Sequence, residues 1–226
     1  MKNFEKIVKD TRIIDIYNKI SEFEDLDKGC AHHNLEHVKN VANLVEVLLR
    51  KLNYDESFIE EAKIAAILHD TGAMEGKKNH ALRSYDFAKT YFEENNIELK
   101  NKNLVLEAIK IHSDGFNSNN IIALTLIISD KLDIKYTRVA KAGYDLRGMK
   151  ELLHIKDILV DINNSNIEIK FICDEEINKK ELEEFYFITK VFKSIHTFSS
   201  KMKLNPKVFF NNEEWKMFSN IIEDEI

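Results

Sequence analysis

Apolar residues recur at helical spacing along most of the chain. Phe4, Ile7, Val8, Ile13, Ile14, Tyr17 and Ile20 predict one or two helices over roughly residues 3–23. Val38, Val41, Leu44, Val45 and Leu48 repeat the pattern near 34–52, and Ile59, Ala62, Ala65, Ala66 and Leu68 repeat it from about 56 to 70. A helix near 80–95 carries Leu82, Tyr85, Phe87, Ala88 and Phe92, with Asn79 placed to cap it. Leu104, Ile109 and Ile111 mark another near 101–113, with Gly115 just past its end, and residues 121–133 give one more. After about residue 150 the period changes. Ile158 to Ile162 is apolar and β-branched, Asn163-Asn164-Ser165-Asn166 is turn chemistry, and Ile167 to Ile172 alternates with period two, so a β-hairpin is expected. A long helix near 178–202 follows, with Leu182, Phe185, Ile188, Phe192, Ile195 and Phe198 at core spacing. The aromatic tail VFFNNEEWKMF should dock. The expected fold is mainly α: a helical domain over residues 1–150, and a hairpin and helix over 151–226 packed on it as an α+β appendage.

Composition narrows the partners. A single proline and six glycines in 226 residues agree with an α-rich chain. The net charge of −6 gives no reason to expect nucleic acid, although a local basic pocket for a phosphate is compatible with it. No apolar run approaches the roughly 20 residues that span a bilayer. Two distant cysteines, Cys30 and Cys173, and no apolar leader at the N-terminus point to a cytoplasmic protein.

The histidines change the picture most. There are eight, and six lie between positions 32 and 112, most of them at or near predicted helix ends. His33 and His37 share a helix face at i and i+4. The apolar run Ile67-Leu68 ends on His69-Asp70, His80 opens the next helix, His112 sits in the last turn of another, and Asp130 interrupts ALTLIISDKLDI. Taken singly, each has a bland explanation. An imidazole at a helix C-terminus favours the dipole, and a lone aspartate can pair with a neighbouring cation. As a set they are imidazole and carboxylate ligands that several helices can bring to one centre, and a metal would offset the cost of burying Asp70 and Asp130.

The order His37, His69-Asp70, Asp130, with ILHDTG and ISDKLD around the last three, resembles the HD superfamily of metal-dependent phosphohydrolases. The similarity covers about residues 25–140 and implies an HD-type helical bundle. By resemblance, His37, His69, Asp70 and Asp130 would bind one metal. Adding His80 and His112 gives the arrangement of the binuclear branch, in which Asp70 would bridge two divalent ions. Iron, manganese, zinc, magnesium and nickel all suit such donors. His33-Asn34-Leu35-Glu36-His37 is similar to the HNxxH segment of cyclic-nucleotide phosphodiesterases, which would make His33 the group that protonates the leaving oxygen. His32 is expected to face solvent, and His154 and His196 to lie outside the site.

The implied reaction is hydrolysis of a nucleotide or other small phosphate ester by a metal-activated hydroxide, with Asp70 and His33 as the catalytic residues. Arg138, Lys131 and Arg83 are the candidate phosphate ligands. The turn continues Thr71-Gly72 and lacks the acidic HDxxED pattern of the stringent-response hydrolases, which disfavours a (p)ppGpp hydrolase. Two alternatives use the same residues: a di-iron oxygenase, and a module that senses a nucleotide without turning it over. The partners expected are a small phosphorylated substrate, no nucleic acid and no membrane. The hairpin can pack on the helical core or pair edge to edge in a homodimer.

Overall fold

The structure is a computed structural model that describes residues 3–219, apart from the side chains of residues 27 and 28. Residues 1–2 and 220–226, at the ends of the two expected domains, lie outside the described residues.

The helical part follows the apolar pattern closely. The first segment is two helices, α1 (Asn3–Lys9) and α2 (Thr11–Phe23), divided where the Asp10 carboxylate caps α2 by accepting from the Arg12 N–H. A single π-turn, Glu24–Lys28, and a short loop lead to α3 (Leu35–Lys51). Then come α4 (Glu56–Leu68), α5 (His80–Glu94), α6 (Lys102–Ile111) and α7 (Ile121–Leu132). α4 is the central member: from Ile64 to Leu68 every residue is buried. α1, α3, α6 and α7 all pack on it, and the Tyr17 hydroxyl of α2 donates to the Ile67 carbonyl at 2.5 Å. The helix that ends on His69-Asp70 is therefore held from all sides.

The C-terminal part is richer than expected. The hairpin is β1 (Ile155–Asn163) and β2 (Asn166–Cys173), antiparallel, turning through Asn164 with φ 53°. The long helix expected over 178–202 is two helices, α8 (Lys179–Glu184) and α9 (Tyr186–Met202), broken where Phe185 leaves helical geometry at ψ 117°. The aromatic tail forms strands: β3 (Asn205–Phe210) runs parallel to β2, and the short β4 (Glu213–Glu214) pairs with β3, giving sheet order β1-β2-β3-β4. Period two holds in β2, where Ile167, Ile169 and Phe171 are buried. Trp215 is fully buried and meets Phe171, Phe192 and Phe210 edge to face.

Two apolar cores result. One fills the space among α1–α7. The other joins the sheet and α9 to Leu48 of α3 and to Leu124, Ile128 and Leu132 of α7. α7 has apolar residues around its whole circumference, and the second core covers the side that the first leaves bare. Among the described residues no helix is long and apolar enough to cross a membrane.

Candidate functional site

Each candidate ligand sits where a helix begins or ends, Asp130 being in the last turn of α7. His37 is in the first turn of α3, whose cap Asn34 accepts from the His37 N–H at 3.0 Å. His69 closes α4 with helical angles, and Asp70 departs from them (φ −108°, ψ 7°), so neighbours that diverge on a regular helix converge here. A tight 3-10 turn, Thr71–Glu75, follows. A Cβ on Gly72 would come within 2.4 Å of the His80 carbonyl oxygen and 2.6 Å of the Ser84 nitrogen. The glycine thus serves close approach of α5 rather than a turn, and it brings His80 to Asp70. Asn79 occupies the cap position of α5 in a left-handed conformation (φ 60°), but its side chain makes no capping bond.

Asp70, 1 % exposed, divides its two oxygens between two groups of imidazoles. Oδ2 lies 3.2 Å from His69 Nε2 and 3.5 Å from His37 Nε2. Oδ1 lies 3.3 Å from His80 Nε2 and 3.5 Å from His112 Nε2. Asp130 Oδ1 joins the first group, 3.2 Å from His37 Nε2 and 3.8 Å from His69 Nε2. The far nitrogen of every imidazole is engaged. His69 Nδ1 meets the Ala66 carbonyl at 2.7 Å, His80 Nδ1 the Lys77 carbonyl at 2.7 Å, His112 Nδ1 the Ile109 carbonyl at 2.8 Å and His37 Nδ1 the Asp133 carboxylate at 2.7 Å. A carbonyl can only accept, so Nδ1 carries the proton and Nε2 turns its lone pair toward Asp70.

The donor chemistry fits divalent cations. His37 Nε2, His69 Nε2 and Asp70 Oδ2 are buried without a hydrogen-bond partner. The His80 and His112 Nε2 atoms face each other at 2.9 Å. Left to themselves His69 and His37 would hold extra protons. Burial pushes the His69 imidazole down, but the Asp70 and Asp130 carboxylates outweigh it and raise it to about 10. Burial and Arg138 lower His37, and the neighbouring carboxylates of Asp130, Asp133 and Asp70 bring it up to about 8. A cation among the same atoms replaces those protons, as metal binding generally does.

Residues 34–135 match the family model of the HD domain, the signature that this order of histidines and aspartates carries. The chain carries an HD domain. No curated protein matches the chain.

Beside the candidate ligands lies a cleft of about 210 Å³, walled by His33, Lys77, Lys131 and Arg138 as well as by Asp70, His80, His112 and Asp130. The Lys131 ammonium meets Asp130 Oδ2 at 2.6 Å. The Arg138 guanidinium is buried, 3.9 Å from Asp130 through Nη2, while Nη1 is buried with no hydrogen-bond partner. Arg83 does not come to the cleft: its guanidinium donates to the carbonyls of Gly72, Lys78 and Gly76 and fixes the loop of the HD turn. His154 pairs with Asp174 near the sheet, away from the cleft. His32 is half-buried against Glu24 and does not face solvent, because its backbone N–H pairs with the Arg138 carbonyl.

Two carboxylates here escaped the sequence. Glu24 accepts from the His33 N–H at 2.8 Å through one oxygen and meets His33 Nδ1 at 2.5 Å through the other. Burial raises its carboxyl to about 7, against the lowering effect of the His33 N–H, and holds the His33 imidazole well below its ordinary value. In the acidic run SEFEDLDKG it looks like a solvated charge. Asp133, which orients His37 and accepts from Asn40 at 3.2 Å, had a signal: it follows Asp130 by one helical turn in an otherwise apolar segment.

Proposed function

We propose that this chain is a metal-dependent phosphohydrolase of the binuclear type that releases phosphate from a small ester, a nucleotide or a related compound. The observation that carries the reading is the division of Asp70, one oxygen toward His37 and His69 and the other toward His80 and His112, with Asp130 beside the first pair. The six residues would hold two divalent ions, with Asp70 between them. Such ions, when bound, supply Lewis acidity that lowers the pKa of water and stabilises charge on phosphoryl oxygens.

The chain's own groups supply the rest. Arg138, whose Nη1 is buried without a hydrogen-bond partner, and Lys131, held against Asp130, give the cleft two positive charges for a phosphoryl group to meet. His33 protonates the leaving oxygen from Nε2. Glu24 holds one proton against Nδ1 at 2.5 Å, so that as Nε2 gives up its proton, Nδ1 takes the one from Glu24. In this reading residues 1–150 carry the chemistry and residues 151–226 are a subdomain packed on them. Free thiols at Cys30 and Cys173 suit the cytoplasm.

The test is metal analysis of protein purified without chelator, joined to phosphate release from a panel of nucleotides and sugar phosphates. Two metals per chain with release of phosphate are expected. Oxygen uptake by iron-loaded protein with no phosphate released from any ester would overturn the reading in favour of an oxygenase.

A further inference from the structure

The cleft is not built by the HD domain alone. Tyr186, Phe187 and Lys190, from the first turns of α9 and some fifty residues beyond the HD match, line it together with His33, Arg138, Asp70, His80, His112 and Asp130. The placement follows from the second core. Ile188, Val191, Phe192 and Ile195 of α9 pack with Leu124, Ile128 and Leu132 of α7, so the start of α9 is fixed beside the turn of α7 that carries Asp130 and Lys131. Phe187 is half-buried, with its ring centroid 6.0 Å from Lys131 Nζ, and that ammonium is 2.6 Å from Asp130. Phe185, at the break between α8 and α9, is seated on Gly148: a Cβ on that glycine, which has φ 77°, would meet Phe185 at 2.7 Å. Its ring lies 5.0 Å from Tyr186 and 6.2 Å from Phe187, centroid to centroid, and anchors both.

Tyr186 is 69 % exposed, a large ring at the mouth of a polar cleft. Among the described residues Lys190 forms no ion pair, so its charge is open to the cleft. The buried Arg138 Nη1 without a partner points to an anion as the ligand.

We infer that Tyr186, Phe187 and Lys190 are the specificity wall of this site, selecting a phosphate ester that carries a planar aromatic ring, with the phosphoryl group toward Arg138 and the ring against Tyr186 and Phe187. The inference deepens the phosphohydrolase reading and rests on the same cleft. Ring stacking on an aromatic side chain favours a ligand by roughly tenfold or more and tolerates different rings, because every planar base offers a π-face. Lys190 adds charge at the outer end and favours any phosphate ester, ring or no ring.

The experiment compares adenosine 5′-monophosphate with ribose 5-phosphate. Binding is measured by calorimetry on the intact chain, metal-free and metal-loaded, and hydrolysis is measured alongside. The wild type should bind the ring-bearing ester about tenfold more tightly. Tyr186→Ala and Phe187→Ala should each reduce that preference severalfold, and Lys190→Glu should weaken both esters alike. Tyr144→Ala, an exposed tyrosine outside the cleft, should leave the preference as it is. Equal binding of the two esters by the wild type, or a preference that survives both aromatic substitutions, overturns the inference even if phosphate is released. A ring preference that depends on Tyr186, in a protein that hydrolyses nothing under any divalent metal, sustains it while the hydrolase reading falls.

Discussion

Asp70 is the residue on which both donor groups depend. Asp70→Ala is expected to abolish metal binding and phosphate release together, by metal analysis and a phosphate assay. Asp133 acts one step back. It fixes the His37 ring through Nδ1, so Asp133→Ala should weaken metal affinity by about 10–100-fold, with activity recovering as metal is added. Glu24 gives a prediction with a sign. Its carboxyl is raised to about 7 in the folded chain, from an ordinary 4.5, so between those values the native state binds more protons than the unfolded one. Stability from this group is therefore present below pH 4.5 and is lost as pH rises toward 7. The melting temperature of Glu24→Gln should lack that part of the decline that the wild type shows across the same window. The same variant should lower kcat by about 100-fold with a smaller change in KM, since Glu24 acts through His33. Unaltered kcat would exclude the relay.

At the scale of elements, the approach of α5 to the HD turn decides whether the second group of ligands forms. Gly72→Ala places a methyl group against the backbone of α5, where nothing flexible can yield. A cost of roughly 1–3 kcal/mol in stability is expected. The His80 side should suffer more than the His37 side, so binding at the His80–His112 pair should weaken first in a metal titration. The four-stranded sheet makes a different demand. Trp215 is the largest side chain in the second core, and Trp215→Ala should cost about 3–5 kcal/mol in chemical denaturation. Because α7 borders both cores, that loss should also reach the Asp130 end of the cleft.

For the whole molecule, metal binding and folding are linked. The candidate ligands come from α3, α4, α5, α6 and α7, so a cation among them ties those five helices together. At a metal concentration 1,000 times the dissociation constant, binding stabilises the fold by about 4 kcal/mol. For a chain of this size that is an upward shift in melting temperature on the order of 10 °C, which a chelator should reverse. A melting curve indifferent to both metal and chelator would count against the centre. A chain ending at residue 150 should expose Leu124, Ile128 and Leu132 and lose fixed tertiary packing, seen as lost near-ultraviolet dichroism with helical signal retained.

The helices around the HD domain were legible in the sequence because each buries a face, and burying a face imposes a period on neighbouring residues. The same holds for the hairpin from Ile158 to Ile172 and for the ligand types, since His69-Asp70 on an apolar helix has few uses. Legibility stopped where the outcome depended on residues far apart in the chain. Arg83 and Arg138 look alike as letters; one is held by the carbonyls of the HD turn, and the other is buried with a nitrogen free. Glu24 looks like any member of an acidic run until the loop folds His33 onto it. VFFNNEEWKMF declared its burial but not its strands, because pairing β3 with β2 needs α8 and α9 to bring them side by side. Sequence by itself determined which surfaces must be hidden and which donors are available, since period and residue type are local properties. Only the tertiary structure decided which oxygen of Asp70 faces which histidine and that α9 lines the cleft, because those distances are set by packing between elements.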